Sequence, residues 1–316
     1  MTTRGRGLIV AGLLVVLAVA AGVAIGPALL GSSTPRSAAG APRFVDETAA
    51  SGVLHRYDGD AAFSTGGGVA VLDCDADGRP DLYLAGGAGP AALYRNAGAT
   101  GGPLRFEPVE SPVTDLDAVE GAYPIDLDGD DLDDLVVLRY GGSVLLRGQG
   151  GCRFESANEA LAFDGSPGQT ISFSATWEGT ARLPTLALGH YLTIEPDGSL
   201  GADCGEHALL RPDATGTAYA PAVALAPGYC TLSMLFSDWD RSGRRDLRVT
   251  NDRHYYLDGM DQLWRVTPGE APRLYTSDDG WVSMQIWGMG IASQDLTGDG
   301  YPEVFLAARA TTSSRP

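Results

Sequence analysis

The chain has 316 residues, a formal net charge of −18 and 43 glycines. Lys and Arg are scattered rather than clustered, which excludes a nucleic-acid footprint. Aromatic residues recur along the chain and exclude a disordered acidic tail, while the carboxylates gather in short clusters, as they do around cations.

The N-terminus comes first. Arg4 and Arg6 precede an uncharged run, Leu8–Leu30. As a helix it would reach about 35 Å, enough for a ~30 Å hydrocarbon core, and the arginines place its start in the cytoplasm. Residues 1–31 are read as a signal anchor or as a cleaved signal peptide, because Gly26-Pro27 can end the apolar core early; a buried helix is the bland alternative. Both main readings export the rest of the chain. Residues 32–43 form a Ser/Ala/Pro linker, and 44–316 form one repeat domain. Phe44 to Thr48 is expected to add an outer strand to it.

The first acidic cluster reads VLDCDADGRPDLYL from Val71 to Leu84. It fits D-x-D-x-D-G-x-x-D followed by an apolar β-type run. The frame recurs from Asp126, Asp238 and Asp295, at spacings of 53, 112 and 57 residues. The doubled interval predicts a hidden repeat, and Trp177–Thr185 followed by Leu186-Ala187-Leu188 fits it with every ligand position lost. Two further landmarks keep order. An apolar-Arg segment ends at Arg95, Arg147, Arg211 and Arg265, and an aromatic follows at Phe106, Phe154, Tyr219 and Tyr275. Short β-type runs between Gly, Pro and Asp turns, repeated every 50–60 residues or so, predict an all-β propeller whose blades hold about four strands. The repeats start near 73, 126, 177, 238 and 295. The fifth lacks an outer half before Pro316, which predicts either an open ring or a truncated product of a longer protein.

Calcium takes six to eight oxygen ligands, and a loop offering side chains at positions one, three, five and nine plus the carbonyl of position seven wraps it. Loop one supplies Asp73, Asp75, Asp77, Asp81 and the carbonyl of Arg79. Loop two supplies Asp126, Asp128, Asp130, Asp134 and the carbonyl of Leu132, with Asp131 in place of the turn glycine. Loop three supplies Asp238, Asp240, Ser242, Asp246 and the carbonyl of Arg244. Loop four supplies Asp295, Thr297, Asp299, Glu303 and the carbonyl of Tyr301. Up to four Ca²⁺ are expected, more weakly in loops three and four, which have fewer carboxylates. Position twelve is Leu84, Val137, Val249 or Leu306, so none is an EF-hand.

These loops, with Gly66-Gly67-Gly68-Val69-Ala70 ahead of the first and Leu93-Tyr94-Arg95-Asn96-Ala97-Gly98 behind it, resemble FG-GAP/VCBS repeats of integrin α-chain-type propellers. They look closest to CRTAC1-like (ASPIC/UnbV) proteins. The resemblance spans about Phe44 to Leu306 and implies an extracellular calcium-binding propeller in adhesion or recognition.

Four cysteines, Cys74, Cys152, Cys204 and Cys230, are compatible with disulfides outside the cytoplasm. Cys204 with Cys230 is favoured as the closest pair, leaving Cys74 with Cys152. His55, His190, His207 and His254 have no metal spacing, and no nucleophile or phosphate-loop motif occurs. Asp258, Asp261, Asp278 and Asp279 stay uncommitted. Trp177, Trp239, Trp264, Trp281 and Trp287 are core or ligand-stacking residues, and Thr193–His207 is an insertion expected to form a rim loop held by Cys204. The sequence therefore predicts an exported binding or adhesion module with structural calcium, no catalytic residues, and a protein or carbohydrate ligand outside the cell. The alternative is a propeller enzyme acting on polysaccharide, a lyase or hydrolase.

Overall fold

The computed structural model describes residues 43–252 and 259–308. The apolar run Leu8–Leu30, His254 and Asp258 lie outside them. Among the described residues no helix is long and apolar enough to cross a membrane. The chain divides into Met1–Asp46 and Glu47–Pro316, and the sheets belong to the second unit.

Four antiparallel meanders follow one another. The first holds β1 (Val69–Leu72), β2 (Asp81–Leu84), β3 (Ala92–Asn96) and β4 (Phe106–Val109). The second holds β5 (Val119–Ile125), β6 (Asp134–Arg139), β7 (Val144–Gly148) and β8 (Phe154–Ser156). In the third, β9 (Thr170–Thr176) and β10 (Thr185–His190) are separated from β13 (His207–Leu210) and β14 (Val223–Leu225) by an inserted hairpin, β11 (Leu192–Ile194) with β12 (Leu200–Cys204). The fourth holds β15 (Thr231–Ser237), β16 (Asp246–Asn251), β17 (Gln262–Arg265) and β18 (Arg273–Leu274), and β19 (Gly288–Gln294) pairs with β20 (Glu303–Ala308) in a further sheet. The hidden repeat is thus a full sheet, and the expected rim insertion is a two-stranded hairpin.

The second strand of each meander explains the stacking. Side chains alternate across a strand, so a strand covered on both faces reads as a continuous apolar run. In Asp134-Leu135-Val136-Val137-Leu138, Leu135 and Val137 pack with Leu72, Tyr83 and Leu93 of the first sheet. Val136 and Leu138 pack with Leu186, Leu188 and Leu210 of the third. Ala187 and Leu209 face the other way, onto Leu247, Val249 and Trp264 of the fourth. The first strands of the later sheets slip register near their starts, between Val119 and Gly121, Thr231 and Ser233, and Gly288 and Gly290; opposite β9 the slip falls at Gly189/His190 on β10. Such bulges re-aim one side chain and sharpen the local twist.

One expectation fails. The stretch from Phe44 forms no strand; it runs without regular structure to Glu47 and enters one helical turn, α1 (Thr48–Ser51). Gly52, at φ +85°, supplies the left-handed residue that ends the turn. Phe44 and Val45 are exposed.

Both expected disulfides form, Cys74–Cys152 and Cys204–Cys230, and no cysteine is free. The second pins the end of the β11–β12 hairpin.

Candidate metal centre

Each acidic loop joins the first strand of its sheet to the second, and the four share one backbone design. Position six is left-handed in all four: Gly78 (φ +80°), Asp131 (φ +64°), Gly243 (φ +81°) and Gly300 (φ +87°). Aspartate is one of the few side chains that tolerates this region, so loop two keeps its turn without glycine. Position one caps the loop from inside. Asp73 accepts from the N–H of Asp77 and Gly78, Asp126 from Asp130 and Asp131, Asp238 from Gly243, and Asp295 from Gly300.

Position nine starts the second strand, and its carboxylate clips the sheet. Asp81 accepts from the N–H of Cys74 (2.9 Å) and Asn96 (2.7 Å). Asp134 accepts from Leu127 (2.8 Å) and Gly148 (2.7 Å). Both are fully buried. Burial pushes the Asp81 carboxyl up, with the charges of Asp75 and Asp77 adding to it and the two N–H bonds opposing it. Asp134 is pushed up to about 6, by burial first, against its N–H bonds and with help from Asp128 and Asp130.

Loops one and two bring their carboxylates together. Oxygens of Asp73, Asp75 and Asp81 lie within 4.8 Å of one another, and so do those of Asp126, Asp128 and Asp134. In each, the position-three acid points a buried oxygen at no hydrogen-bond donor: Oδ1 of Asp75 and Oδ1 of Asp128. Buried carboxylate oxygens without donors are costly, and a hard cation is the partner such oxygens lack. The donor set fits Ca²⁺. At the rim, Asp77 pairs with Arg79, and Asp128 uses its other oxygen on Arg147 (2.9 Å). Asp77, Asp130 and the carbonyls of Arg79 and Leu132 complete the loops in sequence, with the two position-five acids accepting from the position-seven N–H.

Loops three and four differ. Among the described residues neither forms a three-carboxylate cluster. In loop three Arg244 supplies the cation itself, at 2.8 Å from Asp246 and 3.5 Å from Asp240. Trp239 Nε1 and the Tyr275 hydroxyl also donate to Asp246. Burial pushes the Asp246 carboxyl up, but the bonds from Arg244, Trp239 and Tyr275 outweigh it and hold it below the usual range. The arginine expected to lend only a carbonyl is the counter-ion, which sequence cannot reveal because Tyr275 and the orientation of Trp239 are tertiary. Replacing Arg244 by Met is expected to cost about 3 kcal/mol, since it strands a buried carboxylate; unfolding midpoints should show the loss, and millimolar CaCl2 should restore part of it. In loop four, Glu303 accepts from Leu296 N–H and the loop is largely exposed.

The third repeat, which lacks the acidic frame, closes its loop with side chains. Thr185, at position nine, donates to Glu178 (2.7 Å), which also binds Arg211 (2.7 Å). Arg211 reaches on to the carbonyl of Thr267 in the fourth repeat. The apolar-Arg landmark thus has a physical role: Arg147 and Arg211 reach back to the loop of their own repeat.

The remaining candidates hold structural positions. His55 bonds Ala85 O, and His190 lies between Ser166 and the Glu206 carbonyl. Burial lowers His190, and pushes the fully buried His207 down to about 3, keeping both neutral. Asp261 is buried against Arg248 (3.6 Å), and Asp279 forms an ion pair with Arg273 (2.7 Å) in the turn that contains Asp278. Trp264 is core, Trp177 is half-exposed with Nε1 on Arg182 O, and Trp281 meets Trp239 edge-on and lies under Arg248. Sequence reasoning missed Glu120. It sits in the β5 bulge, buried, with Oε2 accepting from Tyr57 and Oε1 without a donor. A cleft of about 620 Å³ lies beside the inserted hairpin, lined by His190, Leu192, Ile194, Glu206 and Ala224.

A family model described as an FG-GAP-like repeat matches residues 73–137, from the start of loop one into β6. The described residues form an all-β protein of small antiparallel sheets, with an FG-GAP-like repeat matched over residues 73–137. No curated protein matches it. Among solved structures it is similar to an Agrocybe aegerita lectin described as recognising non-reducing terminal N-acetylglucosamine, at 16% identity and a TM-score of 0.45, covering 76% of this chain and 60% of that one. It is also similar to Saccharomyces cerevisiae Sqt1, at 12% identity and a TM-score of 0.37, covering 72% and 66%. The chain thus spans less than two thirds of the lectin's length.

Proposed function

We propose that this is an exported, propeller-type binding module in which Ca²⁺ clamps the loops of the first two repeats. The observation that carries the calcium reading is the pair of buried, donor-less oxygens on Asp75 and Asp128, each inside a converging carboxylate cluster. Sheets that pack in sequence, each through alternate faces of its second strand, support propeller-type stacking. Two disulfides favour an oxidising compartment outside the cytoplasm. The calcium is structural in this reading. It neutralises acids that the fold itself buries, and leaves recognition of a protein or carbohydrate partner to the surfaces between loops and to the inserted hairpin. Thermal unfolding with CaCl2 and with chelator tests the clamp. Ligand at a hundred times its dissociation constant adds about 2.7 kcal/mol per site, or roughly 5–11 °C in Tm. Equal midpoints in the two buffers would show that calcium does not clamp these loops.

A further inference from the structure

Loops one and two share their aspartates at positions one, three, five and nine and differ at the other five positions, among them position two, where Cys74 stands in the first and Leu127 in the second. Both residues donate their N–H to the position-nine carboxylate. Cys74 is also bonded through sulfur to Cys152, which lies just after β7 in the next repeat. Cys152 N–H donates to the Cys74 carbonyl at 2.8 Å, so bridge and backbone hold the same junction. Asp81 Oδ2 lies 2.9 Å from Cys74 Sγ and 3.7 Å from Cys152 Sγ, and all three residues are buried. A second tie runs alongside, from Asp73 N–H to Asp133 of loop two (2.8 Å).

We propose that Cys74 and Cys152 are the positioning pair of the first metal loop, and that the state of their disulfide sets that loop's affinity for Ca²⁺. The inference rests on the calcium reading of the loops. A disulfide sulfur carries no proton and draws nothing from the carboxylate beside it. A thiol at the same place is a donor, and competes with the cation for Asp81 Oδ2. Two unbonded sulfurs also need more room than a bonded pair, and the residue that must move is the one whose N–H aims Asp81. With dithiothreitol the chemistry balances. The dithiol closes to its cyclic disulfide and gives up two electrons and two protons, the Cys74–Cys152 bond breaks, and each sulfur takes one hydrogen. Loop two, with Leu127, has no such dependence.

Linkage makes the effect reciprocal: whatever factor reduction costs in Ca²⁺ affinity, Ca²⁺ imposes on the disulfide's reduction. The test equilibrates the full-length chain in dithiothreitol redox buffers with and without CaCl2, traps thiols by alkylation, and reads each cysteine pair by mass spectrometry. Calorimetry of the oxidised chain measures Ca²⁺ uptake in parallel. A tenfold loss of affinity corresponds to a potential lowered by about 30 mV for this two-electron couple. The expected result is a shift of at least about that size for Cys74–Cys152 and none for Cys204–Cys230. Ca²⁺ uptake with an unmoved Cys74–Cys152 potential overturns the coupling alone. Absence of uptake overturns the coupling together with the calcium reading beneath it.

Discussion

Asp134→Ala is expected to lower stability by about 3 kcal/mol, roughly 6–12 °C in Tm, in chelator, and by more in CaCl2. The side chain does two jobs. It stands in the carboxylate cluster of loop two, and it accepts from the N–H of Leu127 and Gly148, which tie the loop to β7. Alanine leaves both N–H groups buried without an acceptor, and that cost has nothing to do with metal. Asp130→Ala is the control. Asp130 is exposed and accepts only from Leu132 N–H within its own loop. Its loss should matter in CaCl2 and fall within about 1 kcal/mol of zero in chelator. Denaturant unfolding of both variants in both buffers separates the clip from the ligand.

The second large effect is a pH dependence centred on Glu120. Burial raises its carboxyl to about 7, against the hydrogen bond from Tyr57 and the pull of the nearby Gln169 amide. Its folded value lies above the unfolded one. The stability it supports is therefore fully present below about pH 4.3 and is lost as pH rises through about 7, where a buried charge must be kept. Wild type should lose about 2–3 kcal/mol from this group between pH 5 and 8. Glu120→Gln should flatten that part of the profile and be the more stable protein at pH 8. A variant with the wild-type slope would show that Glu120 is not the titrating group. A side chain at Gly66 is expected to displace the Glu120 carboxylate and the Tyr57 hydroxyl, since its Cβ would come within 1.8 Å of Glu120 Oε2.

The loops were legible in the sequence because their geometry is local. In loops one and two the carboxylates at positions one, three and nine converge around a left-handed position six, and nine residues carry that instruction. The hidden third repeat was legible for the same reason, through Leu183-Pro184-Thr185 and the apolar run behind it. What was not legible depends on residues far apart. Arg244 reads as a backbone ligand until Asp240, Asp246 and Tyr275 are seen around it. Glu120 reads as a strand residue until the β5 bulge turns it inward. Phe44 and Val45 have strand-like composition, yet no described sheet takes them, and Thr48–Ser51 closes a helical turn instead. The pairing of cysteines was read from separation along the chain, whereas its consequence, a sulfur 2.9 Å from a metal-loop carboxylate, is purely spatial.

Loops one and two are expected to hold Ca²⁺, whereas loop three carries its own cation in Arg244. Bound calcium is counted by equilibrium dialysis and atomic absorption. The expected count is two tightly held ions per chain, one lost in Asp75→Ala, one in Asp128→Ala, and both in the double variant. No bound calcium, or a count unchanged in the double variant, would rule out calcium in these loops.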